Sequence, residues 1–158
     1  MAKLYFRYSA MNAGKSTELL KDAHNYEERG LRVCLFTAKI DTRMGEGVIY
    51  SRLGLSRASE MFDEHTDFNA LLVTAPASGD IDTRALSCVF IDEAQFLSAP
   101  QVEQLHRIAH LRGLPIICYG LRSDFLGQAF PGAAALLTLA DSLDELKTIC
   151  TCTKKASM

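Results

Sequence analysis

Apolar positions along this chain follow two spacings, and the alternation between them predicts the architecture. A run through Tyr5, Phe6 and Tyr8 stops in small residues, after which Leu19, Leu20, Ala23 and Tyr26 recur at helical intervals and Gly30 follows as a C-terminal cap. A helix over about Lys15–Arg29 is therefore predicted after a first strand. The apolar run Leu31–Thr37 is short enough to be a second strand, and strand–turn–helix–strand predicts a parallel pair. From Ala38 to Leu55 the pattern dissolves around Gly45, Gly47 and Gly54, which predicts a mobile loop. A short helix over Phe68–Val73 and a loop over Pro76–Asp80 come next. Ser87–Ile91 reads as a buried strand that ends abruptly in Asp92 and Glu93. Val102, Leu105, Ile108, Ala109 and Leu111 then mark a helix from Pro100 to Arg112, stopped by Gly113. Leu114–Gly120 is a further buried strand, with Pro115 near its start, where proline is tolerated. Ala133–Ala140 is apolar and expected to be buried, while Asp141–Ile149 carries the chain out to Cys150-Thr151-Cys152.

Length and charge narrow the possible partners. With 158 residues, one compact domain and a small appendage are expected. A net charge of -2 supplies no basic field, which argues against a nucleic-acid partner. No apolar run approaches the roughly 20 residues that span a membrane, nothing resembles a signal peptide, and a cytoplasmic protein is expected. Cys34, Cys88 and Cys118 lie inside apolar, strand-like runs and read as reduced core residues.

Candidate chemistry concentrates where strands end. The segment Ser9-Ala10-Met11-Asn12-Ala13-Gly14-Lys15-Ser16-Thr17 has the spacing of a phosphate-binding P-loop, except that Ser9 stands where the first glycine is usual. Backbone N–H groups at a helix start favour anions, Gly14 permits close approach, Lys15 adds positive charge, and the Ser16 hydroxyl suits a nucleotide-bound magnesium ion. A plain strand-to-helix turn is the alternative. A buried strand delivering Asp92 and Glu93 matches the way nucleotide-using enzymes place a metal-associated Asp opposite such a cradle. Alternation along an extended strand would point Glu93 elsewhere, free to accept a proton. The alternative is a strand end emerging into water. Asp41, Arg43, Arg52 and Arg57 lie in or beside the glycine-rich segment, on the side where open α/β sheets bind ligands, and either face phosphate or are solvated. His106 and His110, four apart on a helix, have metal-compatible spacing, but no H-E-x-x-H pattern and no third ligand is evident, so exposed structural histidines are expected. Phe125 and Phe130 suit base stacking or a core position equally.

Several of these stretches together resemble one family. Ser9–Thr17, Asp41-Thr42-Arg43, Asp92-Glu93-Ala94-Gln95-Phe96, Tyr119-Gly120-Leu121-Arg122-Ser123-Asp124-Phe125 and the terminal Cys-x-Cys, in this order, closely resemble the cytosolic thymidine kinases of the bacterial and animal-cell type. The resemblance implies an α/β fold with a RecA-like parallel sheet flanked by helices, a homotetramer, and transfer of the ATP γ-phosphate to the 5′-hydroxyl of thymidine. It places ATP on Ser9, Ala10, Met11, Asn12, Ala13, Gly14, Lys15, Ser16 and Thr17 and on Asp92, Glu93, Ala94 and Gln95. It makes Glu93 the base, gives Mg²⁺ to Ser16 and Asp92, and sets Arg43 against the transferring phosphate. Met11, Phe96, Leu121 and Phe125 would wall the thymine pocket. In this family a structural Zn²⁺ takes the Cys150 and Cys152 positions plus a second ligand pair further on, with a nucleoside-covering loop between the pairs. The sequence ends at Met158, so the expectation is a kinase domain over 1–143 and an incomplete zinc-binding subdomain over 144–158 holding a half-site. An ATP-binding domain impaired by the missing lid is the alternative outcome.

Overall fold

A computed structural model describes residues 3–9, 15–39, 47–51, 54–72, 86–123, 127–128, 130–146, 148–149 and 155–156. Strand β1 (Leu4–Ser9) leads to helix α1 (Lys15–Glu28) and strand β2 (Arg32–Ala38). A short hairpin of β3 (Val48–Tyr50) and β4 (Ser56–Ala58) follows, then β5 (Glu60–Phe62), α2 (Phe68–Leu72) and β6 (Leu86–Ile91). A 3₁₀ turn at Ala94–Phe96 precedes α3 (Ala99–Arg112), β7 (Ile116–Leu121), α4 (Pro131–Leu139) and β8 (Ser142–Glu145). The last two strands, β9 (Thr148–Ile149) and β10 (Lys155–Ala156), pair antiparallel.

Six strands form one sheet in the order β5-β2-β6-β7-β1-β8, and every pairing in it is parallel. β7 separates β1 from β6. Side-chain alternation divides the core into two layers. Phe36, Val89, Ile91, Ile116 and Cys118 face α2, α3 and α4, where they meet Phe68, Leu105, Ile108 and Leu136. Leu35, Cys88, Phe90, Ile117 and Tyr119 face the other way, against Leu19, Leu20 and Ala23 of α1. Continuous apolar runs in β2, β6 and β7 are what a strand covered on both faces requires. Cys34, Cys88 and Cys118 are buried free thiols, as expected, and burial raises the Cys34 and Cys88 thiols to about 12.

Helix boundaries follow local chemistry. Ser98 caps α3 by accepting from the Gln101 backbone N–H at 3.3 Å, and the Gln101 side chain accepts from the Ser98 N–H at 2.9 Å, a reciprocal capping box. Gly113 ends the helix in the left-handed conformation at φ 61°.

Three expectations need correction. The stretch expected to be a loop through Leu55 contains β3, which pairs with β4, so part of it is a hairpin. Ala133–Ala140 is mostly the helix α4 rather than an undefined buried segment. Asp141–Ile149 does not simply leave the domain, because β8 pairs with β1 and extends the sheet to Glu145.

Candidate active site

The C-terminal ends of β1, β6 and β7 converge, and most of the described candidate residues gather there. Ser9, fully buried at the end of β1, lies opposite Leu121 at the end of β7. α1 then begins at Lys15, so its first turn carries Lys15, Ser16 and Thr17 beside those strand ends. The Ser16 hydroxyl donates to the Asp92 carboxylate at 3.0 Å. A residue from the proposed cradle and one from the acidic pair, 76 positions apart in sequence, are therefore in direct contact.

Asp92 is 3% exposed and continues the β2–β6 pairing, its N–H donating to the Phe36 carbonyl at 2.8 Å. Burial, with the Glu93 charge second, pushes its pKa up to about 7 against the opposing effects of the Ser16 and Glu93 N–H hydrogen bonds and of Lys15. A buried carboxylate beside a hydroxyl is a hard oxygen donor set of the kind magnesium takes, and a divalent cation there would favour the ionised form. These residues fit the expected ion.

Glu93 diverges from Asp92 for a reason different from strand alternation. β6 ends at Ile91, and Glu93 adopts φ 55° and ψ 40°, the left-handed region, where a non-glycine residue costs on the order of 1–3 kcal/mol. It is the one non-glycine residue with positive φ among those described. The chain leaves the extended conformation of β6 there. Gln95 then holds the Glu93 side chain, donating from Nε2 to Glu93 Oε2 at 2.6 Å, while Gln95 Oε1 accepts from the Leu121 backbone N–H at 3.1 Å. At 2% exposed, Gln95 thus ties the end of β6 to the end of β7 and sets the direction of Glu93.

Two glycines make room for this turn. A Cβ on Gly120 would stand 2.7 Å from Gln95 Oε1 and 3.0 Å from the Gln95 nitrogen. One on Gly132 would meet the carbonyl oxygens of Leu97, Ala94 and Gln95 at 2.5, 2.8 and 2.9 Å. Neither need is visible in the sequence, where Gly132 reads as an ordinary loop residue. Ala94 is fully buried under the same turn.

Phe96 is 40% exposed and meets Phe130 edge to face, with ring centroids 5.8 Å apart. Phe130 also packs against the larger core layer, which decides its core role. Beside Phe96, a depression of about 440 Å³ is lined by Ala38, Lys39, Phe62, Asp63 and Glu64. Lys39 and Asp63 were missed because they follow a strand end with no motif around them. Arg57 does not face phosphate. It forms a two-point ion pair with Glu27 in the last turn of α1, with Nη2 2.7 Å from Oε2, whereas the candidate phosphate site lies at the opposite end of that helix. Ala10, Met11, Asn12, Ala13, Gly14, Asp41, Arg43, Arg52, Phe125, Cys150 and Cys152 lie outside the described residues.

Comparison with known proteins matches this arrangement to one family. A family model described as thymidine kinase covers residues 2–158. The chain belongs to the thymidine kinase family. A thymidine kinase of Chromobacterium violaceum is 52% identical over 158 residues, all of this chain and 80% of that protein. One from Albidiferax ferrireducens is 53% identical over the same length, 76% of its own, and one from Yersinia pseudotuberculosis is 49% identical over 78% of its own. The α/β fold with its parallel sheet is that of a P-loop thymidine kinase. Among the described residues no helix is long and apolar enough to cross a membrane.

Proposed function

We propose that this chain phosphorylates thymidine, moving the γ-phosphate of ATP to the 5′-hydroxyl. The observation that carries the reading is the Ser16–Asp92 hydrogen bond, with Glu93 held by Gln95 immediately beside it. Family membership supports thymidine as the acceptor. The first turn of α1 and Lys15 suit the triphosphate, because helix N–H groups and an ammonium attract negative charge at one place. Ser16 and Asp92 would hold magnesium, which neutralises charge on the transferring phosphate when bound. Glu93 takes the proton of the attacking hydroxyl, and its direction comes from the left-handed backbone and the Gln95 amide rather than from free rotation. By family resemblance, Phe96 and Leu121, with Met11 and Phe125, would serve the base, and Arg43 would serve the phosphate.

Positioning is most of the catalysis in such a transfer, since the phosphoryl group needs alignment and charge stabilisation more than covalent help. The test is transfer of label from γ-labelled ATP to thymidine by the 158-residue chain. Labelled thymidine monophosphate is expected. ATP binding with no transfer would instead favour a nucleotide-binding domain, and a Lys15→Ala variant with unchanged ATP affinity would overturn the cradle.

A further inference from the structure

A second polar cluster lies at the other end of the sheet and takes no part in the chemistry above. His106 and His110 share one face of α3, and the turn between α4 and β8 brings Asp141 against them. His110 Nε2 stands 2.8 Å from Asp141 Oδ2, and His106 Nε2 stands 3.8 Å from Oδ1. Each residue offers one ligand atom, and the ligand atoms all lie within 4.8 Å of one another. The third ligand that helical spacing alone failed to reveal is therefore Asp141, 31 residues beyond His110. The histidines are also not fully exposed, with side chains 35% and 29% accessible.

We infer that His106, His110 and Asp141 form a binding site for a divalent transition-metal cation of the zinc class. Two imidazoles and one carboxylate are the donor set that zinc takes in three-ligand sites, water filling the remaining position. Tetrahedral ligands about 2.0–2.2 Å from zinc stand roughly 3.3–3.6 Å from one another, so the present spacing closes by small side-chain rotations. The carboxylate is held in place by the start of β1: Leu4 N–H donates to Asp141 Oδ2 at 2.9 Å, while the Asp141 N–H donates to the Leu4 carbonyl at 2.8 Å. The two imidazole rings have centroids 4.5 Å apart, close enough for one ion to meet a nitrogen of each.

Glu103, three residues before His106 on the same helix, Arg107, Leu111 and Leu139 line the shallow depression over these histidines. Glu103 adds negative charge near the ion and Arg107 opposes it. The site joins α3, the α4–β8 turn and the start of β1, elements that meet only in the folded chain. An ion bound there stabilises the native state alone. Magnesium is a poor match, since it prefers oxygen ligands.

The test separates this trio from Cys150 and Cys152. In the full chain carrying Cys150→Ser and Cys152→Ser, after treatment with chelator, zinc is titrated by calorimetry and followed by thermal unfolding. One zinc per chain and an upward shift of the melting temperature are expected, with no shift from magnesium. Adding His106→Gln and His110→Gln should weaken zinc by more than the roughly 100-fold that loss of an outer partner costs at the upper end. The metal-free melting temperature of that variant reports whether it folds. Cobalt in the unmutated histidine background should show ligand-field bands without thiolate-to-cobalt charge transfer. A chain lacking Cys150 and Cys152 whose melting temperature ignores zinc would overturn the site, as would zinc binding that survives loss of both histidines.

Discussion

At the C-terminal ends of β1, β6 and β7, polar side chains are buried and bound to one another, whereas at the N-terminal ends they are half-exposed and hold backbone termini. Asp92 and Gln95 belong to the first kind, with half-buried Ser16 bonded to Asp92 and Glu93 in a left-handed conformation between them. Asp141 belongs to the second, bonded to Leu4 at the sheet's lower rim. β1 spans Leu4–Ser9, so the two regions lie roughly 16 Å apart at about 3.3 Å per residue. The contrast teaches where this fold spends stability. Burying a carboxylate and forcing a left-handed glutamate both oppose folding, and among the described residues they occur together where strand ends converge, which is where open α/β sheets bind ligands.

The largest expected effect breaks the chemistry of the upper end without touching the fold. Glu93→Gln keeps size and shape but deletes the proton acceptor, so phosphoryl transfer to thymidine should fall about 10²–10⁴-fold while ATP affinity stays near that of the parent. Turnover equal to the parent would reassign the base. Next come two glycines, one at each end. Gly132→Ala forces a methyl against three backbone carbonyls that cannot swing aside, so about 2–3 kcal/mol of stability should be lost, read as a melting temperature lower by roughly 4–12 °C. Gly113→Ala at the lower end meets nothing within 4 Å and bears only the left-handed backbone penalty, about 1 kcal/mol. Equal losses for the two substitutions would mean that packing around the catalytic turn is no tighter than at a helix cap.

A smaller effect separates charge from geometry at Asp63, beside the depression at the end of β5. Chiefly the His65 backbone N–H, with Thr66 and nearby cations adding to it, lowers the Asp63 pKa. Its folded value is therefore below the unfolded value of about 3.9, so its contribution is present above that pH and disappears as pH falls through the folded value. The denaturation midpoint of Asp63→Asn should be slightly below that of the parent at neutral pH, and the gap should close in acid. A gap that widens in acid would reverse the sign.

Much of this was legible before any coordinates. β1, α1, β2, β6, α3 and β7 follow the apolar pattern closely, since each buries a long face whose period survives in the sequence. The edge strands did not. Ser142-Leu143-Asp144-Glu145 holds a single apolar residue, and Glu60-Met61-Phe62 is too short to show a period, so both become strands only through pairing with β1 and β2. The acidic pair was visible as a motif, but its divergence was ascribed to strand alternation, when a left-handed backbone at Glu93 causes it. Arg57 was left open between phosphate and a solvated surface, and the structure decides it: Glu27 at the far end of α1 takes it.

The sequence by itself determined the two-sided sheet, the cradle's spacing and the acidic pair, because periodicity and short motifs are local properties written in consecutive residues. Only the tertiary structure decided that Ser16 touches Asp92, that Gln95 aims Glu93 and that Gly132 must lack a side chain. It alone brought Asp141 to His106 and His110. These are contacts between residues far apart in the chain, and the parallel crossovers that create them leave no trace in the spacing of neighbours.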